Sequence, residues 1–315
     1  MSKFLGIDTS NYTTSVAIFD DVTNEVVQKR KLLPVSKGEL GLRQSDAVFH
    51  HTQQLPSLVE ELFSECECSS DDIKAIGASF TPRKIEGSYM PCFTVGSGVA
   101  RVLSSTLNVP LFELSHQQGH IASALYSTNR LDLLNEKFLA FHVSGGTTDA
   151  LLVNSEDDGN ILPVKLVGKT LDLNAGQLVD RVGLSLGLTF PCGKELEKLA
   201  LNCDRPIKVK PTIKGTDCCL SGVENICKKA LLNGEGKEYV SFLCLKYIEE
   251  TLCKMTENII DKYGEMPIVF AGGVMSNSII KGNLTKKLSC IFCEPQYSTD
   301  NACGIAVLTS YLYRD

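Results

Sequence analysis

Nowhere does the chain contain the roughly twenty consecutive apolar residues that a membrane-spanning helix needs. Its first residues, Met1-Ser2-Lys3-Phe4-Leu5-Gly6-Ile7-Asp8, break the apolar run with a carboxylate too early for an export signal. These absences exclude a helical membrane protein and lead us to expect a cytoplasmic one. Positive charge is also short, with 31 Lys and Arg against 37 Asp and Glu and a formal net charge of −6. That excludes a general nucleic-acid coat protein but leaves room for a local basic patch. No H-E-x-x-H occurs, because Gln117 stands where the general base of that metalloprotease motif would be. The one C-x-x-C, Cys290-Ile291-Phe292-Cys293, has no second pair at zinc-finger spacing and reads as a strand. The 13 cysteines read as small core residues, since a 315-residue chain with an ample core needs no disulfides. No low-complexity linker divides the chain.

Histidine is scarce, at five residues, yet two of them stand four apart in Ser115-His116-Gln117-Gln118-Gly119-His120. On a helix, positions i and i+4 lie on one face, so two imidazoles can reach one metal ion. Ser115 suits an N-cap for that helix. The same spacing also suits two ordinary core histidines. A third ligand would have to come from elsewhere. Asp300, in Ser298-Thr299-Asp300-Asn301 before a small-residue helix, is attractive, and it equally suits an N-cap.

One supersecondary shape occurs twice. Residues 4–8 and 13–19 read as a hairpin about the polar turn Thr9-Ser10-Asn11-Tyr12. Residues 138–143 and 149–153 read as another about Ser144-Gly145-Gly146-Thr147-Thr148. We take this as a duplication. The expected fold is α/β, with one lobe of residues 1–125 plus 295–315 and another of residues 126–294. The Ser144-Gly145-Gly146 turn, entered from His142 and Val143, can aim backbone N–H groups at a phosphate, although a tight hairpin explains it too. Ala271-Gly272-Gly273-Val274 ends a buried strand and offers a flat platform before the next helix. Asp8 adds a carboxylate on the opposite lobe. Together these predict an interlobe nucleotide cleft.

Between the hairpins, periodicity predicts helices over 53–66, 94–107, 176–186, 194–201 and 239–260, and strands over 74–80 and 267–274. Residues 205–214 are basic and extended. Lys208, Lys210 and Lys214 form the best local cationic strip, which suits either tRNA or a solvated surface strand.

The chain resembles one family nearly end to end. The resemblance is carried by Leu5-Gly6-Ile7-Asp8-Thr9-Ser10, the His116/His120 pair with Gly119, Val143-Ser144-Gly145-Gly146, Asp172, Ala175-Gly176, Asp180 and Phe190-Pro191. It continues through Ser221-Gly222, Ala271-Gly272-Gly273-Val274 with Asn277, and Thr299-Asp300-Asn301. The family is the catalytic subunit of tRNA threonylcarbamoyladenosine synthase, long misnamed O-sialoglycoprotein endopeptidase. It belongs to the sugar kinase, heat-shock protein and actin-like ATPase superfamily. The resemblance implies one metal ion, iron or zinc, on His116, His120 and Asp300. It implies phosphate contacts from Ser144, Gly145 and Gly146, and nucleoside contacts from Asp180, Gly193 and Asn277. The implied nucleotide ligand is threonylcarbamoyl-adenylate, or ATP in an ATPase subunit. The implied acceptor is the exocyclic amine of a tRNA adenosine beside the anticodon, with partner proteins in a heteromeric complex.

The chain departs from the family pattern at several loops. Asn11-Tyr12-Thr13-Thr14 stands for Cys-Asp-Glu-Thr, and Thr81-Pro82-Arg83-Lys84, in an expanded segment to Pro91, for Ala-Gly-Pro-Gly. Asp172-Leu173-Asn174-Ala175-Gly176-Gln177 stands for Asp-Ala-Ala-Gly-Glu, and Thr147 for a histidine. Ser221-Gly222-Val223-Glu224-Asn225 stands for Ser-Gly-Leu-Lys-Thr and reverses a charge. The pattern implies a divergent paralogue with a kept metal and nucleotide framework and altered acyl and acceptor loops.

Overall fold

A computed structural model describes residues 2–10, 12–34, 42–84, 86–154 and 162–314. Asn11 of the first hairpin turn and Ile85 of the expanded loop lie outside the described residues. The chain forms two compact units, residues 1–131 with 299–315, and residues 132–298.

In the first unit, β1 (Lys3–Asp8), β2 (Thr13–Asp20) and β3 (Glu25–Leu32) are followed by α1 (Gln44–Glu65), β4 (Ile73–Thr81), α2 (Phe93–Leu107), β5 (Leu111–Ser115) and α3 (His116–Ser127). The sheet runs β3-β2-β1-β4-β5. The β1–β2 and β2–β3 pairs are antiparallel, and β4 and β5 continue parallel to β1. The chain returns to this unit for its C-terminal helix, Cys303–Arg314, whose first eight residues are buried.

The second unit repeats the plan. It holds β6 (Phe138–Val143), β7 (Thr148–Val153), β8 (Val164–Lys169), α4 (Ala175–Ser185), α5 (Gly193–Ala200), β9 (Thr212–Lys214), β10 (Asp217–Cys219), α6 (Ser221–Leu232), α7 (Lys237–Tyr263), β11 (Ile268–Ala271), α8 (Ser278–Lys287) and β12 (Cys290–Phe292). Its main sheet, read as β8-β7-β6-β11-β12, has the order and strand directions of the first. β9 and β10 form a separate small hairpin.

Three differences from the sequence reading have physical causes. Each sheet has an outer strand, β3 or β8, that the hydropathy pattern did not announce. Both lie at a sheet edge and are only partly buried, so charged residues are tolerated on them. α1 begins at Gln44, nine residues before the expected start at 53, because its first turns bury only Ala47 and His51 and so carry little apolar signal. The 267–274 strand stops at Ala271. Gly272 there takes φ 101°, a left-handed geometry that ends the extended run, and a short 3-10 turn follows.

Candidate metal centre and nucleotide face

The first unit positions its site at the C-terminal ends of parallel strands. β1 ends on Asp8, and β5 runs directly into α3. Ser115 caps that helix. Its hydroxyl accepts from the Gln118 N–H at 3.3 Å, while Gln118 Oε1 accepts from the Ser115 N–H at 2.9 Å. The cap sets His116 and His120 one turn apart on the same face, both buried at 8% and 5% exposure.

Asp300 is brought to them by close packing of the C-terminal helix on α3. A Cβ on Gly304 would overlap the Gly119 carbonyl oxygen and come within 2.6 Å of the Ser123 nitrogen. A hydrogen-bond chain locks this contact. Ser123 Oγ donates to Asn301 Oδ1 at 2.8 Å, Gly304 N–H donates to Ser123 Oγ at 2.8 Å, and Cys303 N–H donates to Asn301 Oδ1 at 3.0 Å. Asn301 therefore does the capping work that Asp300 also suited, and the Asp300 carboxylate points at the histidines.

The donor atoms converge. His116 Nε2 and His120 Nε2 are 2.9 Å apart, and Asp300 Oδ1 lies 3.5 and 3.4 Å from them. One ligand atom from each of the three residues falls within 4.8 Å of the other two. Two imidazoles and a carboxylate gathered this closely suit a transition-metal ion. Asp8 completes the arrangement from behind. It is 1% exposed, its Oδ1 accepts from the Ser10 N–H at 2.9 Å, and its Oδ2 accepts from His116 Nδ1 at 2.7 Å. Holding the proton on Nδ1 leaves Nε2 with the lone pair a metal needs. Sequence reading placed Asp8 among the nucleotide-binding residues. In the fold its carboxylate is engaged by His116, a pairing 108 residues apart in sequence that no local spacing announces.

The electrostatics follow from this packing. Burial works to lower the His116 pKa, but the Asp8 and Asp300 carboxylates outweigh it and lift the value to about 10. Burial and the neighbouring His116 charge lower that of His120. Burial works to raise Asp300, yet its bonds to both imidazoles hold it well below the usual carboxylate range.

The second unit carries its glycine turns at the C-terminal ends of β6 and β11, the end of parallel strands where α/β folds bind ligands. The Ser144 N–H closes the turn onto the Thr147 carbonyl at 2.8 Å. Gly145 and Gly146 are exposed, with open space where a Cβ would stand. α4 starts against this turn. Ala175 N–H donates to Thr148 Oγ1 at 2.9 Å and Gly176 N–H to the Ser144 carbonyl at 3.1 Å. A Cβ on Gly176 would lie 2.6 Å from the Gly145 nitrogen.

Val143 is fully buried, backbone included, and His142 beside it is half-buried. Gly272 presses against the Val143 backbone, leaving Gly273 as the open member of that pair. Asp180 follows Gly176 by one turn of α4. Its Oδ1 accepts from the Cys192 N–H at 2.9 Å beside Gly193, and burial raises its pKa. Asn277 caps α8, accepting from the Ile280 N–H at 3.0 Å. α8 and α5 are joined by Ser278, whose N–H donates to Glu197 at 2.7 Å. Another motif residue is structural: Asp172 accepts from the N–H groups of Leu220 and Ser221 at 2.7 and 3.2 Å and clamps the start of α6.

Repeated hairpin-plus-parallel sheets in both units are shared with solved structures. The component A structure of (R)-2-hydroxyglutaryl-CoA dehydratase from Acidaminococcus fermentans matches with TM-score 0.58 at 15% identity, covering all of both chains. A ROK family glucokinase from Streptomyces griseus matches with TM-score 0.55 at 10% identity over 98% of this chain and 100% of that one. These likenesses show the fold, an α/β architecture of two repeated units, each with an antiparallel hairpin running into a parallel sheet. A family model described as tRNA N6-adenosine threonylcarbamoyltransferase (TsaD) matches residues 22–307, and the chain belongs to that family. A tRNA N6-adenosine threonylcarbamoyltransferase from Thermosipho africanus is 30% identical over 98% of this chain and 94% of its own. A probable bifunctional tRNA threonylcarbamoyladenosine biosynthesis protein from Thermoplasma acidophilum is 25% identical over 98% of this chain, which spans only 56% of that longer protein. Among the described residues no helix is long and apolar enough to cross a membrane.

Proposed function

We propose that the chain moves a threonylcarbamoyl group from threonylcarbamoyl-adenylate to the exocyclic amine of a tRNA adenosine near the anticodon. The observation that carries this reading is the convergence of His116, His120 and Asp300 in a chain of this family. The adenosine nitrogen bonds to the carbamoyl carbon, the bond from that carbon to the phosphate oxygen breaks, AMP leaves and one proton is released. An ion on the three ligands, iron or zinc, supplies Lewis acidity toward the donor. Asp8 orients His116, and the α3 cap and the Gly304 contact hold the ligand spacing.

In the second unit, Gly145 and Gly146 offer open backbone to a phosphate, while Asp180, Gly193, Gly273 and Asn277 border the nucleoside side. The adenylate is already activated, so positioning and charge stabilisation are what remain for the protein. The chain spans about half of its bifunctional relatives, and we infer that it works with partner proteins in a heteromeric complex.

The test is product analysis. The protein is incubated with ATP, threonine, bicarbonate, an adenylate-forming partner and unmodified tRNA, and digested nucleosides are examined by mass spectrometry. Threonylcarbamoyladenosine is expected. Nucleotide turnover that neither needs tRNA nor modifies it would replace this reading with that of an ATPase subunit. AMP release on another acceptor would support the divergent-paralogue reading.

A further inference from the structure

The segment leading into β9 is built to face two ways. Ile207, Val209 and Ile213 are partly buried and pack on the core of the second unit, while Lys208, Lys210 and Lys214 between them are exposed. Pro206 and Pro211 keep the flanking backbone extended, since the residue before a proline is pushed out of the helical region. Alternation in extended chain places side chains i and i+2 on one side, about 6.6 Å apart. That is near the separation of successive phosphates along one nucleic-acid strand.

The cations are uncommitted. Among the described residues none of the three lysines enters an ion pair, whereas Arg205 beside them is held by Glu235. Lys214 continues into a shallow cleft of about 380 Å³ that it lines with Gly215, Thr216, Asn258, Asp261 and Lys262. Asn258 braces the cleft by donating to the Gly215 carbonyl at 2.7 Å. Asp261 is the carboxylate in this lining, set against two lysines. In a chain of net charge −6, three unpaired lysines in register on a ribbon pinned by apolar residues stand apart from a generic solvated surface.

We propose that Lys208, Lys210 and Lys214, with Lys262 across the cleft, form a cationic ladder that binds the sugar–phosphate backbone of the RNA acceptor. This rests on the transferase reading above, and it assigns a contact surface outside the predicted metal and nucleotide residues. Phosphate contacts of this kind position an RNA without reading its sequence.

The test is equilibrium binding of a fluorescent, unmodified tRNA transcript to the full chain between 50 and 300 mM KCl. It compares wild type with the triple variant Lys208→Gln, Lys210→Gln, Lys214→Gln and with the corresponding triple arginine variant. Each lost phosphate contact flattens the slope of log K against log salt by about 0.7–0.9. The glutamine variant should therefore show a slope shallower by about two and an affinity at least tenfold lower at low salt. The arginine variant should restore both, and all three proteins should share the same Tm and the same affinity for an adenylate analogue. A glutamine variant with unchanged slope and affinity overturns the ladder while leaving the transferase reading intact. A wild-type chain that binds no tRNA at any salt, with its partners present, overturns both. Equal loss of tRNA and of a polyglutamate control would identify the surface as an acidic-protein site and overturn the RNA assignment.

Discussion

Asp8 shows how much one buried carboxylate can decide. It contacts His116 through the ring nitrogen that faces away from the convergence point. Outer contacts of this kind are worth about ten- to a hundredfold in metal affinity. Asp8→Ala should therefore lose metal at least tenfold more readily in competition with a chelator, and Asp8→Asn, which keeps an acceptor, should lose less. An Asp8→Ala protein with wild-type affinity would remove the orienting role. The same contact sets a pH dependence in chelated protein. His116 titrates near 6.5 when unfolded and near 10 when folded, so its charge stabilises the fold fully below about pH 6.5. That contribution is lost as the pH rises through about 10. The Tm of chelated wild type should fall more steeply between pH 7 and 10 than that of His116→Gln, and parallel profiles would contradict the assignment.

At the scale of elements, the pair of α3 and the C-terminal helix holds the centre. Gly304 lets the two backbones approach until no Cβ fits there. Gly304→Ala must push the helices apart, carrying Asp300 from the histidines. We expect a loss of about 1–3 kcal/mol in urea denaturation, together with loss of bound metal. Gly282, exposed on α8 with nothing near its Cβ position, is the matching control. There alanine should stabilise by up to about 1 kcal/mol through helix propensity alone, with metal content unchanged. Destabilisation of both variants alike would deny the close approach a special role. The α4 helix shows a similar arrangement, with Gly176 seated on Gly145, so the altered motif around Asn174 and Gln177 still packs on an unaltered glycine turn.

At the scale of the molecule, duplication assigns separate work to separate units. The proposed metal ligands His116, His120 and Asp300 all lie in the unit of residues 1–131 and 299–315, and the glycine turns lie in that of 132–298. Metal at a hundred times its dissociation constant stabilises whatever binds it by about 2.7 kcal/mol. In hydrogen exchange, zinc or iron added to chelated protein should protect β1, α3 and the C-terminal helix and leave β6, β7 and α7 unchanged. An adenylate analogue should protect the 143–148 turn and α4. Protection by metal in the second unit alone would refute the division.

Features that depend on neighbours along the chain were legible from residue order alone. The apolar runs of residues 4–19 and 138–153, each interrupted by a small polar or glycine turn, specified both hairpins, the i, i+4 spacing specified a shared face for His116 and His120, and paired glycines marked the turns that need bare backbone. Edge strands β3 and β8 escaped because an exposed edge places little demand on composition. Only the tertiary structure decided which distant carboxylate does what. Asp300 reaches the histidines because Gly304 lets its helix close on α3, and Asp8 reaches them because β1 and β5 end at the same side of one sheet. Spacing within a chain can align side chains on one element. Convergence between elements depends on packing distance, and here that distance is set by the absence of a methyl group.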